Sequence, residues 1–257
     1  MIDIQKAIEE FKKYTSEYDM SNNNIDRKYW HSLRVMEESK NIAENIDLEE
    51  EQVRLATLIG LLHDIGRFEQ MREYGTFRDL ISVDHGDLGV EILQKNNLIR
   101  EFVIDDIYYD IIKKAIKNHN KYSIEEGLKK EELLHAKIIR DADKLDIFYE
   151  GVEIFWNDPN EVKEIENMVM RDHYYNSFIE EKIIKKQADQ NRLESLLVFI
   201  AFIYDLNFKP SFEKMKKEDY INKILNRFEF KNEETKRKMK EIREIANEYI
   251  QNKVKDD

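Results

Sequence analysis

Cysteine is absent from the 257-residue chain. That removes disulfides, thiolate nucleophiles and every cysteine-held zinc or iron–sulfur centre together. Glycine (7) and proline (2) are scarce, far below the ~7 % and ~5 % of average usage, which argues against turn-rich β-sandwiches and barrels. No hydrophobic run approaches the ~20 residues of a membrane span. The longest, LLVFIAFIY at 196–204, ends on Asp205 and reads as a buried core helix. The N-terminal stretch MIDIQKAIEEFKKY has no apolar segment behind a basic start, so a secretory signal is not expected and the cytoplasm is the expected compartment. Positive charge is also in deficit: 42 Lys and Arg against 54 Asp and Glu leave −12. A general grip on the nucleic-acid backbone is therefore disfavoured, although a local basic site stays open.

What is present is helical periodicity, and the expected fold class is all-α. Ile4, Ala7, Ile8 and Phe11 share one face of a first helix, and SNNNID at 21–26 breaks it with cap-forming residues. A helix over 27–46 follows, with Trp30, Leu33 and Met36 spaced by three. Residues 51–66 are apolar almost all round from Val53 to Ile65, as a central helix covered on all sides requires. Gly66 is placed to end it in a left-handed cap. Residues 67–84 show no sustained period and read as a long loop. Asp84 and Asp87 mark the start of a helix reaching about 96, and further helices are expected at 105–118, 131–156, 159–186, 190–205, 213–227 and 232–254. In the last, Met239, Ile242, Ala246, Tyr249 and Ile250 form an apolar stripe. Docking of that stripe onto the domain is expected, with pairing into a homodimer as the alternative. The domain reading is an N-terminal helix at 1–26, a core at 27–156 and a helical extension packed on it at 157–257.

His63–Asp64 emerges from the apolar central helix. An ionised carboxylate there needs a cation, a metal or several donors. His119 follows Tyr108, Ile112 and Ala115 on a core-facing stripe. Asp143 has Ile139 and Ile147 four residues to either side, whereas Asp141 and Asp146 have Lys137 and Glu150 as neighbours and read as more exposed. His85 lies at a helix N-terminus, where the dipole keeps its ring neutral. His31 lies on the first large helix. His135 and His173 fit none of these patterns and read as ordinary histidines.

His31, His63–Asp64, His85, His119 and Asp143 resemble, in order, the signature of HD-domain metal-dependent phosphohydrolases. The strings LLHDIGRFEQ at 61–70, DHGDLG at 84–89, NHNKY at 118–122 and RDADKLD at 140–146 are similar to that superfamily's motif contexts, and the resemblance covers about 27–150. It implies a helical bundle with a metal centre of two divalent ions (Fe, Mn, Zn, Ni or Mg), because His85 and His119 extend the minimal ligand set. His31, His63, Asp64 and Asp143 would hold the first ion, and Asp64 would bridge to a second completed by His85 and His119. The implied activity is hydrolysis of a phosphoester or phosphoanhydride, most simply of a nucleotide, by a metal-activated hydroxide. Arg67 stands where many relatives have Lys, and Arg67, Arg78, Lys121 and Lys144 are the candidate phosphate contacts. The chain lacks the Gly-Tyr-Pro that marks the cyclic di-GMP branch. A mixed-valence di-iron oxygenase and a metal-bearing sensor module are the alternatives.

Overall fold

The computed structural model describes residues 2–187 and 189–255, and among them no strand occurs. The chain divides into two compact units, 1–146 and 147–257.

The first unit holds α1 (Ile4–Thr15), α2 (Asn23–Asn45), α3 (Glu50–Leu62), α4 (Ile65–Tyr74), α5 (His85–Gln94), α6 (Ile99–Phe102), α7 (Tyr109–Asn118) and the first part of α8 (Lys130–Glu153). Polar side chains start the helices where the sequence offers them. Asp3 accepts from Lys6 N, Asn22 from Asn24 N, and Asp84 from Asp87 N, each satisfying a backbone donor that helix geometry leaves unpaired. At the centre is α3, with every residue from Leu55 to Leu62 buried, packed mainly against α2. Burial of one such Leu or Ile is worth roughly 1.5–3 kcal/mol, so this helix fixes where its C-terminal end points.

Two expectations in this unit are corrected. Residues 67–84 are not one long loop, because α4 occupies Ile65–Tyr74. Its inward face carries Ile65, Gly66, Phe68 and Gln70, and a glycine and a glutamine among the buried positions erase the apolar period. Gly66 does not end the central helix, which stops at Leu62. It lies inside α4, and Gly75 (φ 64) supplies the left-handed cap at the far end. A Cβ on Gly66 would lie 2.4 Å from His85 O and 2.7 Å from Gly89 N, so this position is glycine because α4 and α5 touch backbone to backbone there. The buried face of α2 runs through Ile25, His31, Ser32, Val35, Met36 and Ser39, with Trp30 52 % exposed.

The second unit contains the end of α8 with α9 (Pro159–Glu166), α10 (Asp172–Ile179), α11 (Arg192–Ile200), α12 (Lys209–Glu218), α13 (Tyr220–Leu225) and α14 (Glu233–Lys255). The single helix expected over 159–186 is two, α9 and α10. Between them Arg171 is extended and sends its guanidinium to the fully buried Glu194 at 2.6 Å. The helix expected over 213–227 is likewise split, at Asp219 (φ 53). The apolar run at 196–204 is buried through Ile200 in α11 and continues as a 3-10 turn. No helix among the described residues is long and apolar enough to cross a membrane. Met239, Ile242, Ala246 and Ile250 of α14 are buried.

Candidate metal centre

Four imidazoles and two aspartates converge in the first unit. His31 comes from the middle of α2, His63 and Asp64 from the junction of α3 and α4, His85 from the first turn of α5, His119 from the end of α7, and Asp143 from α8. His31 Nε2 lies 3.2 Å from His63 Nε2 and 3.2 Å from Asp143 Oδ1, while His63 Nε2 is 3.6 Å from that same oxygen. Asp64 Oδ2 faces this group, at 3.4 Å from His31 and 3.5 Å from His63. Its other oxygen, Oδ1, faces a second group, 3.4 Å from His85 Nε2 and 3.6 Å from His119 Nε2, which are 3.0 Å from each other. One carboxylate is thus shared by two imidazole pairs.

All four rings are turned the same way by hydrogen bonds at Nδ1. His63 and His119 cap helix C-termini, where carbonyls lack partners. They donate to Gly60 O at 2.8 Å and Ile116 O at 2.6 Å. His31 donates to Asp146 Oδ2 and His85 to Asp79 Oδ2, both at 2.6 Å. With Nδ1 committed as donor, Nε2 is left for coordination, the tautomer that metal-ligating histidines adopt. The donor set of imidazole and carboxylate suits borderline divalent ions. His31, His63 and Asp64 form one group able to hold an ion, and Asp64, His85 and His119 another. The residues present therefore fit bound divalent metal.

Electrostatics favour the same use. Burial opposes ionisation of Asp64 and Asp143, but Lys28 and His63 around the first, and His31 and His63 around the second, hold both carboxyls well below the usual range. Burial lowers His63, and burial together with Arg67 brings His85 down to about 4, so both rings keep their lone pairs. At His31, burial and Lys28 oppose the charged ring, yet hydrogen bonds to Asp143, Asp146 and Asp64 outweigh them and lift it to about 10. Metal uptake at such a nitrogen releases a proton.

The cations named from sequence are placed unequally. Arg67 sends one terminal nitrogen to Gln70 Oε1, Phe77 O and Asp79 Oδ1 at 2.6–2.8 Å. Its Nε is buried without a hydrogen bond, 3.7 Å from Asp64 Oδ1. Arg78 is exposed on the loop after α4. Lys121 is held by Asp84 and Asp87 at 2.7 Å each. Lys144 is buried, 3.4 Å from Arg140 O.

Four participants escaped the sequence reading. Lys28 Nζ is 2.7 Å from Asp64 Oδ2; its place three residues before His31, on one helix face, was the available signal. Asp79 and Gln70 lie where the sequence has no period. Asp146 reverses the expected exposure: it and Asp141 are the buried members of their trio (2 % and 0 % exposed), and Asp143 is the one solvent still reaches. The partners of Asp146, His31 and Arg34, come from α2, and neighbours along α8 cannot reveal them.

His135 is buried with Nε2 donating to Gln52 Oε1 at 2.6 Å and Nδ1 without a partner, and His173 is exposed. Burial lowers His135 from 6.5 to about 4. Between those values the unfolded chain binds a proton that the folded one refuses. The contribution of this residue is therefore intact above pH ~6.5 and falls as pH drops, by roughly 3 kcal/mol once below the folded value. Urea unfolding of His135→Gln at pH 7 and pH 4.5 is expected to show a smaller acid loss than the parent. Parallel losses in the two proteins reject this assignment.

The family model of the HD domain matches residues 29–147, opening just before His31 and closing just after Asp146. No curated protein and no solved structure gives a match. The matched span, a little under half of the chain, encloses the two groups that share Asp64, and residues 29–147 are similar to the HD domain of a superfamily of metal-dependent hydrolases.

Proposed function

We propose that the chain hydrolyses a phosphoester or phosphoanhydride, with a nucleotide as the substrate class. The observation that carries this reading is the sharing of Asp64 between two imidazole pairs, Oδ2 with His31 and His63 and Oδ1 with His85 and His119. His31, His63, Asp64 and Asp143 would hold one divalent ion, and Asp64, His85 and His119 the other. Ions bound there supply Lewis acidity and an activated water.

The chain's own residues do the rest. Lys28 stands on the Oδ2 side of Asp64 at 2.7 Å, and the unpaired Nε–H of Arg67 on the Oδ1 side at 3.7 Å. The shared carboxylate thus has a cation at each end. Arg78, exposed on the adjoining loop, is the outer phosphate contact of this proposal. Preorganised donors of this kind act on charge that grows in the transition state.

The test is elemental analysis of the purified protein, then a panel of nucleotides and simple phosphodiesters with that metal restored. Metal-dependent phosphate release from at least one substrate is expected. With metal saturating, Arg67→Ala is expected to lower turnover by ~10²–10³, and Arg67→Lys to recover part of it without the planar fork. Oxygen consumption by the iron-loaded protein, with no phosphate released from any substrate, rejects hydrolysis in favour of oxygenase chemistry.

A further inference from the structure

The two halves of the site are built alike. In the first, Arg34 grips Asp146 through Nε at 2.5 Å and a terminal nitrogen at 2.9 Å, and Asp146 accepts from His31 Nδ1 at 2.6 Å. In the second, Arg67 donates to Asp79 Oδ1 at 2.8 Å, and Asp79 Oδ2 accepts from His85 Nδ1 at 2.6 Å. Each half therefore contains an Arg–Asp–His series, and each pairs it with a histidine oriented by a helix-terminal carbonyl, His63 or His119.

Resting on the two-metal reading above, we propose that Asp79 is the positioning residue of the second metal half-site, held for that task by Arg67 and Gln70. A carboxylate behind a ligating imidazole fixes its tautomer and ring orientation and raises the basicity of Nε2, which a neutral carbonyl does less strongly. The support around Asp79 is more extensive than a loop needs for its own sake. Gln70 is fully buried, and its Nε2 reaches Asp79 Oδ1, Ser82 Oγ and Val83 O at 2.9 Å each, while its Oε1 accepts from Arg67. Asn120, the residue after His119, adds a contact to Asp79 Oδ2 at 3.3 Å. Asp79 thereby ties α4, which begins at the bridging Asp64, to the first turn of α5, which carries His85.

The two series differ in their foundation. Asp146 sits on a long helix with its side chain 2 % exposed, whereas Asp79 lies between α4 and α5 with its side chain 29 % exposed. The second half-site is accordingly the weaker one, and its occupancy depends on the segment that carries Asp79.

Titration of the full chain with Mn²⁺, followed by calorimetry and by EPR of the bound ions, tests this without any assay of turnover. The parent is expected to take up two ions with a spin-coupled spectrum. Asp79→Ala should weaken one of them by ~10–100-fold, the usual cost of losing such an outer partner, and leave the other unchanged. Asp79→Asn, which still accepts a hydrogen bond, should recover part of the loss. Asp146→Asn should weaken the opposite ion. Two ions in the parent with both affinities unchanged in Asp79→Ala, or both lowered equally alongside the melting temperature, overturns the assignment of Asp79 alone. A parent that takes up one ion overturns the two-metal reading, and this proposal with it.

Discussion

Asp64→Ala is expected to abolish both metal binding and hydrolysis, with a larger effect than any other single replacement in the site. It is the one residue whose two oxygens face both imidazole pairs, so its removal takes a ligand from each half. The affinity loss should exceed the ~10–100-fold that losing an outer partner costs. A second consequence is structural. Lys28, whose side chain is only 12 % exposed, loses the carboxylate 2.7 Å from its ammonium. Breaking a buried pair by removing one partner costs up to roughly 3–5 kcal/mol, because the remaining charge is left without compensation. In metal-free protein, adding Lys28→Met to Asp64→Ala should restore part of that stability, and the double-mutant cycle in urea measures the coupling. Retention of two metal equivalents by Asp64→Ala after desalting would sink the bridging role.

Gly66→Ala should be nearly as damaging, by a different route. The new Cβ would meet His85 O at 2.4 Å and Gly89 N at 2.7 Å. Both are backbone atoms, which no rotamer change can move aside. The helices α4 and α5 must separate, and overpacking of this kind costs about 1–3 kcal/mol. The displaced helix carries His85, whose Nε2 is 3.0 Å from His119 Nε2, so the second half-site opens while the first, built on α2, α3 and α8, is left in place. The expected outcome is a lowered melting temperature together with the loss of one metal equivalent. A variant as stable as the parent with two tightly held ions would show that the α4–α5 contact has more room than its geometry indicates.

Much of the molecule was legible in one dimension because the information was local. The all-α architecture follows from helical apolar spacing, from cap-forming residues such as Asp84 and Asn22, and from the shortage of glycine and proline. The central helix was legible because residues from Val53 onward are apolar on every side. The metal-centre candidates could be named because imidazoles and carboxylates stand out on core-facing stripes, where burial demands a partner.

Tertiary structure alone decided the rest, wherever a residue takes its meaning from a different segment. α4 was invisible as a helix because its buried face includes Gly66, which admits the α5 backbone, and Gln70, which binds the loop beyond it. Asp146 looked exposed from its own helix, yet His31 and Arg34 of α2 bury it. Asp79 carries no periodic signal, and only the folded chain places it behind His85. Arg67 reads from sequence as a phosphate contact, and in the structure one of its terminal nitrogens is already spent on the loop. Periodicity reports which face of a helix is dry. It cannot report which polar group from another segment arrives there, and in this chain those arrivals set the orientation of two of the four metal-centre histidines, His31 and His85.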